Sequence, residues 1–175
     1  MDQGLVIVFT GNGKGKTSAA LGTALRACGH GMYVSMVQFI KGPLPTGEAQ
    51  AAGRLAPELE FISMGRGFVT DKGAIPLSEH RKAAADALSL ARQRARSGYW
   101  DILILDEINN AVKLGLVDIE DVLDLVRNRQ PKLHVILTGR DAHPDLVALA
   151  DLVSEIRDVK HPFEQGVPAR KGIDF

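Results

Sequence analysis

A single cysteine, Cys28, in 175 residues excludes an internal disulfide. It falls in the helix expected after a glycine-rich loop, and no neighbouring base can be identified that would activate it. A small buried residue is therefore expected there rather than a catalytic thiol. An excess of one charge is lacking as well. The 21 basic and 21 acidic residues cancel, which argues against nucleic acid or an anionic membrane as the main partner. No apolar run is long enough to cross a bilayer and no signal peptide opens the chain, so a cytoplasmic location is expected. Internal repeats and low-complexity stretches are missing too. The remaining composition, 45% hydrophobic and 24% charged, suits one soluble domain over residues 1–175. A chain of that size buries about 70% of its unfolded surface.

The most informative stretch runs from Phe9 to Ser18, F-T-G-N-G-K-G-K-T-S. An apolar run, Leu5 to Phe9, precedes it, and the helical pattern Ala19 to Leu25 follows. The order strand, glycine loop, helix is that of a phosphate-binding loop. Gly11, Gly13 and Gly15 permit backbone angles that turn successive N–H groups, those of Asn12 and Lys14 included, toward an anion. The helix opening at Lys16, Thr17 and Ser18 aims its positive dipole end at the same place. Lys16 brings a full charge to the phosphate oxygens, and the Thr17 hydroxyl stands where such loops hold magnesium. The pattern wants its first glycine at the position of Thr10. Either Thr10 stands in for it or the loop starts one residue later, at Gly11. A glycine-rich turn without a ligand is the bland alternative, and it explains G-K-T after a buried strand poorly.

Beyond the loop, apolar runs alternate with helical patterns, which predicts an α/β fold with a mainly parallel sheet. Strands are expected at Met32–Ile40 (ended by Lys41-Gly42-Pro43), Leu59–Met64, Ile102–Leu105, Leu133–Leu137 and Leu152–Ile156. Residues 43–57 read as a loop with room for a short helix. Ser78 opens a long helix to about Ser97 with Ala84, Leu88, Ala91 and Ala95 on its apolar side. Its basic residues Arg81, Lys82, Arg92, Arg94 and Arg96 read as a solvated face. Asp118 caps a helix whose stripe of Ile119, Val122, Leu123 and Val126 is core. A further helix is expected over 144–150 and a tail over 158–175.

The strand Ile102–Leu105 runs into Asp106 and Glu107. With a phosphate loop in the same chain, this acidic pair is the expected metal site, and two solvated acids at a strand end are the weaker alternative. Adjacent side chains on a strand face opposite ways, so the spacing leaves open which of the two meets the ion. Arg140, just beyond the strand ending at Leu137, lies on the edge where open α/β sheets bind ligands; a surface arginine is the alternative.

Taken together, Val8 through Lys16-Thr17, Val37-Gln38-Phe39-Ile40-Lys41-Gly42, Leu105-Asp106-Glu107, Thr138-Gly139-Arg140 and the tail from Val159-Lys160-His161 to Gly172-Ile173-Asp174-Phe175 resemble the phosphate-loop type of ATP:corrinoid adenosyltransferase. The likeness covers almost the whole chain in order. It implies a three-layer P-loop NTPase-like (RecA-like) fold and transfer of the 5′-deoxyadenosyl group of ATP to Co(I) of a corrinoid, with release of triphosphate. The corrinoid would be cobalamin, cobinamide or cobyrinic acid diamide. Mg2+ or Mn2+ would assist, an electron donor such as a flavoprotein would supply Co(I), and the enzyme would be a homodimer. Because Co(I) is itself the nucleophile, no serine, cysteine or histidine constellation is needed.

The same resemblance assigns Phe68 to the corrinoid, beneath cobalt in place of its lower axial ligand; ordinary core packing is the alternative. Many relatives carry tryptophan two residues on, where this chain has Thr70, its only tryptophan being Trp100. That departure bears on corrinoid choice or on the reduction step. Relatives often carry an N-terminal segment over the site, whereas here Gly4 nearly begins the first strand, so a partner subunit or a mobile loop is expected to close the pocket. The family is also said to bind ATP in reversed orientation, consistent with the irregular loop at Thr10. Two other activities suit the bare loop. A P-loop ATPase or small-molecule kinase would release ADP, and a nucleotide-binding switch or corrinoid carrier would release nothing.

Overall fold

The computed structural model describes residues 3–42, 46–70 and 73–174. Pro43, the expected stop of the second strand, Asp71 and the terminal Phe175 lie outside the described residues. Six strands, β1 (Val6–Thr10), β2 (Val34–Gln38), β3 (Leu59–Ser63), β4 (Ile102–Asp106), β5 (His134–Thr138) and β6 (Leu152–Glu155), form one sheet in the order β3-β2-β4-β5-β1-β6. Every neighbouring pair is parallel, as the alternating pattern predicts. All six carboxyl ends therefore share one edge.

The alternation of side chains across β4 explains the three layers. Leu103 and Leu105 point to one face, where α3 (Leu77–Arg96) lays Ala84, Ala87, Leu88, Ala91 and Ala95 against them. The short α4 (Ile108–Lys113), α5 (Ile119–Arg127) and α6 (Pro144–Leu149) complete that layer through Ile108, Val122, Leu123, Val126 and Leu146. Ile102 and Ile104 point the other way, toward α1 (Lys16–Cys28), whose Ala20, Ala24 and Ala27 let the helix approach closely, and toward Ala52 of α2 (Gly47–Ala52). Strands buried on both sides need continuous apolar runs, and β4 supplies one.

Most expected elements appear within two or three residues of their expected ends. Four details differ. The second strand is shorter than 32–40, because Met32 still donates its N–H to Ala27 O at the end of α1. The helix α4 was not expected; Glu107 takes a left-handed conformation, φ 61°, and turns the chain out of β4 directly into it. Asp118 does precede α5, but its side chain makes no capping hydrogen bond. Cys28 is only partly buried, and burial pushes its thiol pKa up, which keeps it unreactive.

The basic face of α3 is also less solvated than expected. Arg94 makes a two-pronged contact with Glu60, at 2.8 Å through each nitrogen, and lies over the Trp100 ring. Arg92 pairs with Asp121. These bonds tie α3 to β3 and to α5.

Leu105 is fully buried in the larger core cluster. Leu105→Ala should lower the unfolding free energy by about 2–5 kcal/mol, read from the urea midpoint; a loss below about 1 kcal/mol would mean that the two layers collapse into the space.

Candidate active site

The glycine loop between β1 and α1 is held by its neighbours on the sheet edge. Gly13 donates its N–H to Ile156 O at 2.8 Å, and the Thr10 hydroxyl accepts the Ala142 N–H at 3.1 Å. Thr10, at the position of the absent first glycine, thus fastens the loop to the segment after β5. Gly11 and Gly15 have φ of 95° and 118°, conformations a side chain resists, and a Cβ at Gly11 would stand 2.3 Å from Ile156 O. Lys16 folds back over this turn and donates to the carbonyls of Gly11, at 2.8 Å, and Gly13, at 2.6 Å. Burial, and then the nearby Arg140, push the Lys16 pKa down.

Under the loop, the two acids of β4 have different surroundings. Asp106 is fully buried and saturated with donors. Its Oδ1 accepts from the Thr17 hydroxyl at 2.9 Å and the Thr138 hydroxyl at 2.7 Å, and its Oδ2 accepts from Gln38 Nε2 at 2.8 Å. Glu107 lies one residue on, with its N–H donating to Thr138 Oγ1 at 2.9 Å. Its Oε2 is buried and has no hydrogen-bond partner among the described residues. Burial first, and the charge of Asp106 second, push the Glu107 pKa up to about 7, against the pull of Lys41, Lys16 and Arg140. A left-handed backbone at a non-glycine residue beside an unpartnered carboxylate is the kind of strain that functional sites retain.

A cavity of about 740 Å3 opens over these groups at the carboxyl edge of the sheet. Asn12, Gly13, Lys14, Gly15, Lys16, Thr17, Ser18, Glu107 and Arg140 all line it. Gly11 stands behind the wall, offering its carbonyl to Lys16, and Asp106 lies beneath the floor, reaching the cavity through Thr17. The backbone N–H of Arg140 is fixed by Asn110 Oδ1 at 2.9 Å, and Gly139 fits so tightly there that a Cβ would meet that oxygen at 2.5 Å. Phe68 is not among the lining residues. It is 77% exposed on the loop after β3, so it is not part of the core.

Several residues assigned no site role from the sequence also line the cavity. Lys41 stands at the end of β2, where its position beyond a strand's carboxyl end is the same signal that singled out Arg140. Asn110 comes from the unexpected α4. The tail contributes Asp158, His161, Phe163 and Asp174. Asp158 Oδ1 accepts the Lys14 N–H at 3.2 Å, and Asp174 Oδ1 accepts Lys14 Nζ at 2.6 Å, an ion pair that holds the Asp174 pKa below the usual carboxylate value. The carboxyl-terminal segment thus forms part of the cavity wall.

The Glu107 shift has a definite sign in stability. With a native pKa of about 7 and an ordinary value of 4.5, the folded state binds the extra proton between those limits. Stability of the ligand-free protein should therefore be greatest near and below pH 4.5 as far as this group is concerned, fall as pH rises toward 7, and level off above. Denaturation midpoints at pH 5 and pH 8 should differ less in Glu107→Gln than in the parent, with the variant the more stable at pH 8; parallel curves would show that burial does not hold the proton.

Against known proteins, residues 2–175 match the sequence profile of the family described as ATP:corrinoid adenosyltransferase BtuR/CobO/CobP. The corrinoid adenosyltransferase of Escherichia coli strain K12 is 42% identical over 179 residues, covering 99% of this chain and 87% of that protein. Corrinoid adenosyltransferase CobA of Salmonella typhimurium is 42% identical with the same coverage, and the Pseudomonas aeruginosa enzyme is 40% identical over 99% of this chain and 85% of its own length. Among solved structures, the flagellar accessory protein FlaH of Methanocaldococcus jannaschii is similar in fold, with a TM-score of 0.56 over 89% of this chain and 72% of that one at 14% identity. With a family match over almost its full length and relatives at this identity, the chain belongs to the ATP:corrinoid adenosyltransferase BtuR/CobO/CobP family.

Proposed function

We infer that the protein transfers the 5′-deoxyadenosyl group of ATP to the Co(I) centre of a corrinoid and releases triphosphate, with residues 1–175 acting as one adenosyltransferase domain. The observation that carries this reading is the gathering of Lys14, Lys16, Lys41 and Arg140 around one cavity at the mouth of the glycine loop. Four cations suit a leaving group that departs as an intact triphosphate. A P-loop ATPase or kinase is not favoured, because the family and its relatives are adenosyltransferases.

In the proposed reaction Co(I), brought by the corrinoid, attacks C5′ of the ribose. The cobalt–carbon bond forms from the cobalt electron pair as the C5′–O bond breaks, and the bonding pair of C5′–O leaves on the triphosphate. The protein supplies position and charge. Lys16 exchanges its two loop carbonyls for phosphate oxygens, and the N–H groups of Asn12 and of Gly15 to Ser18, with the dipole of α1, face the same oxygens, while those of Gly13 and Lys14 hold the loop to Ile156 and Asp158. Arg140 and Lys41 flank the departing charge.

Magnesium, or manganese in its place, is the metal we propose. The donors present suit a hard ion: the Thr17 hydroxyl, the Asp106 carboxylate behind it and Glu107, whose Oε2 has no partner among the described residues. Among the described residues no three His, Cys, Asp or Glu side chains cluster as a metal cage, which fits an ion that completes its shell with phosphate and water. Thr17 and Glu107 would hold it, with Asp106 behind Thr17, and when bound it would neutralise charge on the triphosphate. Asp106, already fixed by three donors, orients Thr17; Glu107 has the free oxygen to offer.

Phe68 we assign to the corrinoid, beneath cobalt. Its exposure beside the carboxyl edge supports this, since an aromatic ring left out of the core is free to meet a ligand. An electron donor such as a flavoprotein is needed to convert Co(II) to Co(I) by one electron. We further propose a cytoplasmic homodimer. No helix among the described residues is long and apolar enough to cross a membrane.

Anaerobic incubation with ATP, magnesium and chemically reduced cob(I)alamin tests the reading: triphosphate and a light-sensitive cobalt–carbon species are expected, whereas ADP with unaltered corrinoid would overturn it. Lys16→Ala should lower kcat by about 100- to 1000-fold in that assay. Phe68→Ala should reduce turnover from Co(II) corrinoid with a reductant by about tenfold or more while leaving Co(I) turnover within about twofold. Equal losses in the two assays would remove Phe68 from the axial position.

A further inference from the structure

Gln38 ends β2 and is almost completely buried, yet both ends of its amide are used. Nε2 donates to Asp106 Oδ2 at 2.8 Å, and Oε1 accepts from the hydroxyl of Ser63, the last residue of β3, at 2.7 Å. An ionised Asp106 can only accept, so its two oxygens must be divided among donors. Gln38 takes Oδ2, which leaves Oδ1 to Thr17 and Thr138. Turned end for end, the Gln38 amide would set its carbonyl against the carboxylate, acceptor to acceptor in a buried site. Asp106 thus sets the orientation of the amide, and the Ser63 hydroxyl, able to donate or accept, donates to the Oε1 that faces it and satisfies that buried acceptor. Hydrogen bonds thus run from Ser63 to Gln38 to Asp106, crossing three adjacent strands at their carboxyl ends.

We propose that Gln38, braced by Ser63, is a positioning residue for the triphosphate–metal site, holding the plane of the Asp106 carboxylate so that Oδ1 faces Thr17. Neither Gln38 nor Ser63 lines the nucleotide cavity; both act through Asp106. The same end of β2 anchors the loop that carries Phe68, since Met64 donates its N–H to Gln38 O at 3.1 Å and Gly67 to Ile40 O at 2.9 Å. The inference rests on the reading of Thr17 and Asp106 given under the proposed function.

The test compares the parent with Gln38→Leu, Ser63→Ala and Ser63→Thr. Calorimetric affinities for ATP are measured with magnesium and with a chelator, beside denaturation midpoints and kinetic constants. Losing one hydrogen bond to a charged group should weaken magnesium–ATP binding about tenfold in Gln38→Leu and about threefold in Ser63→Ala. Chelated ATP should bind within about twofold of the parent in both, because Lys16 and the loop N–H groups are untouched. Ser63→Thr, which keeps the hydroxyl, should restore parental binding. Equal weakening with and without magnesium, no weakening, or failure of Ser63→Thr to rescue would overturn the proposal and leave these residues a purely structural role. Should Gln38→Leu fail to fold, the Ser63 pair decides by itself. A parent that yields ADP instead of triphosphate would overturn the proposed function while leaving the binding comparison valid.

Discussion

A carboxylate buried without donors is too costly to keep ionised, and Asp106 is buried completely. Much of the site follows from how that requirement is met. Donors come from Thr17 at the start of α1, Thr138 at the end of β5 and Gln38 at the end of β2. β4 lies between β2 and β5 in the sheet, so two of them are neighbours across one strand spacing. The third arrives because α1 packs its small alanines against β4 and β5 and brings its first turn over the strand end. Satisfying one carboxylate therefore aligns the phosphate loop, the acidic pair and the Thr138-Gly139-Arg140 turn.

The fold was legible because parallel strands buried on both faces leave a strong mark: Ile102 to Leu105 could hardly be anything else once Ser78 to Ser97 read as an amphipathic helix. The phosphate loop was legible for a different reason, since its chemistry needs glycines, a lysine and a hydroxyl in fixed order. Glu107 escaped in part. Its position next to Asp106 was plain, but the left-handed turn that frees its carboxylate and starts α4 depends on Thr138 accepting its N–H from another strand. Asn110 was invisible for the same reason, because its role is to hold the Arg140 backbone across the sheet edge. Gln38 was quoted for its motif, yet its burial and two-ended bonding depend on β2 lying between β3 and β4. Phe68 shows the reverse case, a residue picked out by resemblance whose exposed setting no periodicity revealed.

The floor and rim of the cavity are built from interactions of different strength. On the floor, the bonds to Asp106 are short, charge-assisted and shielded from water, so they persist whether or not a ligand is bound. On the rim, Lys16 rests on two loop carbonyls and Lys14 on Asp174 of the tail. The Lys14 pair is partly open to solvent, where such contacts contribute about 0–1 kcal/mol. A polyphosphate offers both lysines more charge than a carbonyl or a single carboxylate does. Binding can therefore replace the rim contacts at little cost without disturbing the floor. Under the proposed function, the rigid floor would set where the triphosphate lies, and the exchangeable rim would supply the charge that follows it as the C5′–O bond breaks.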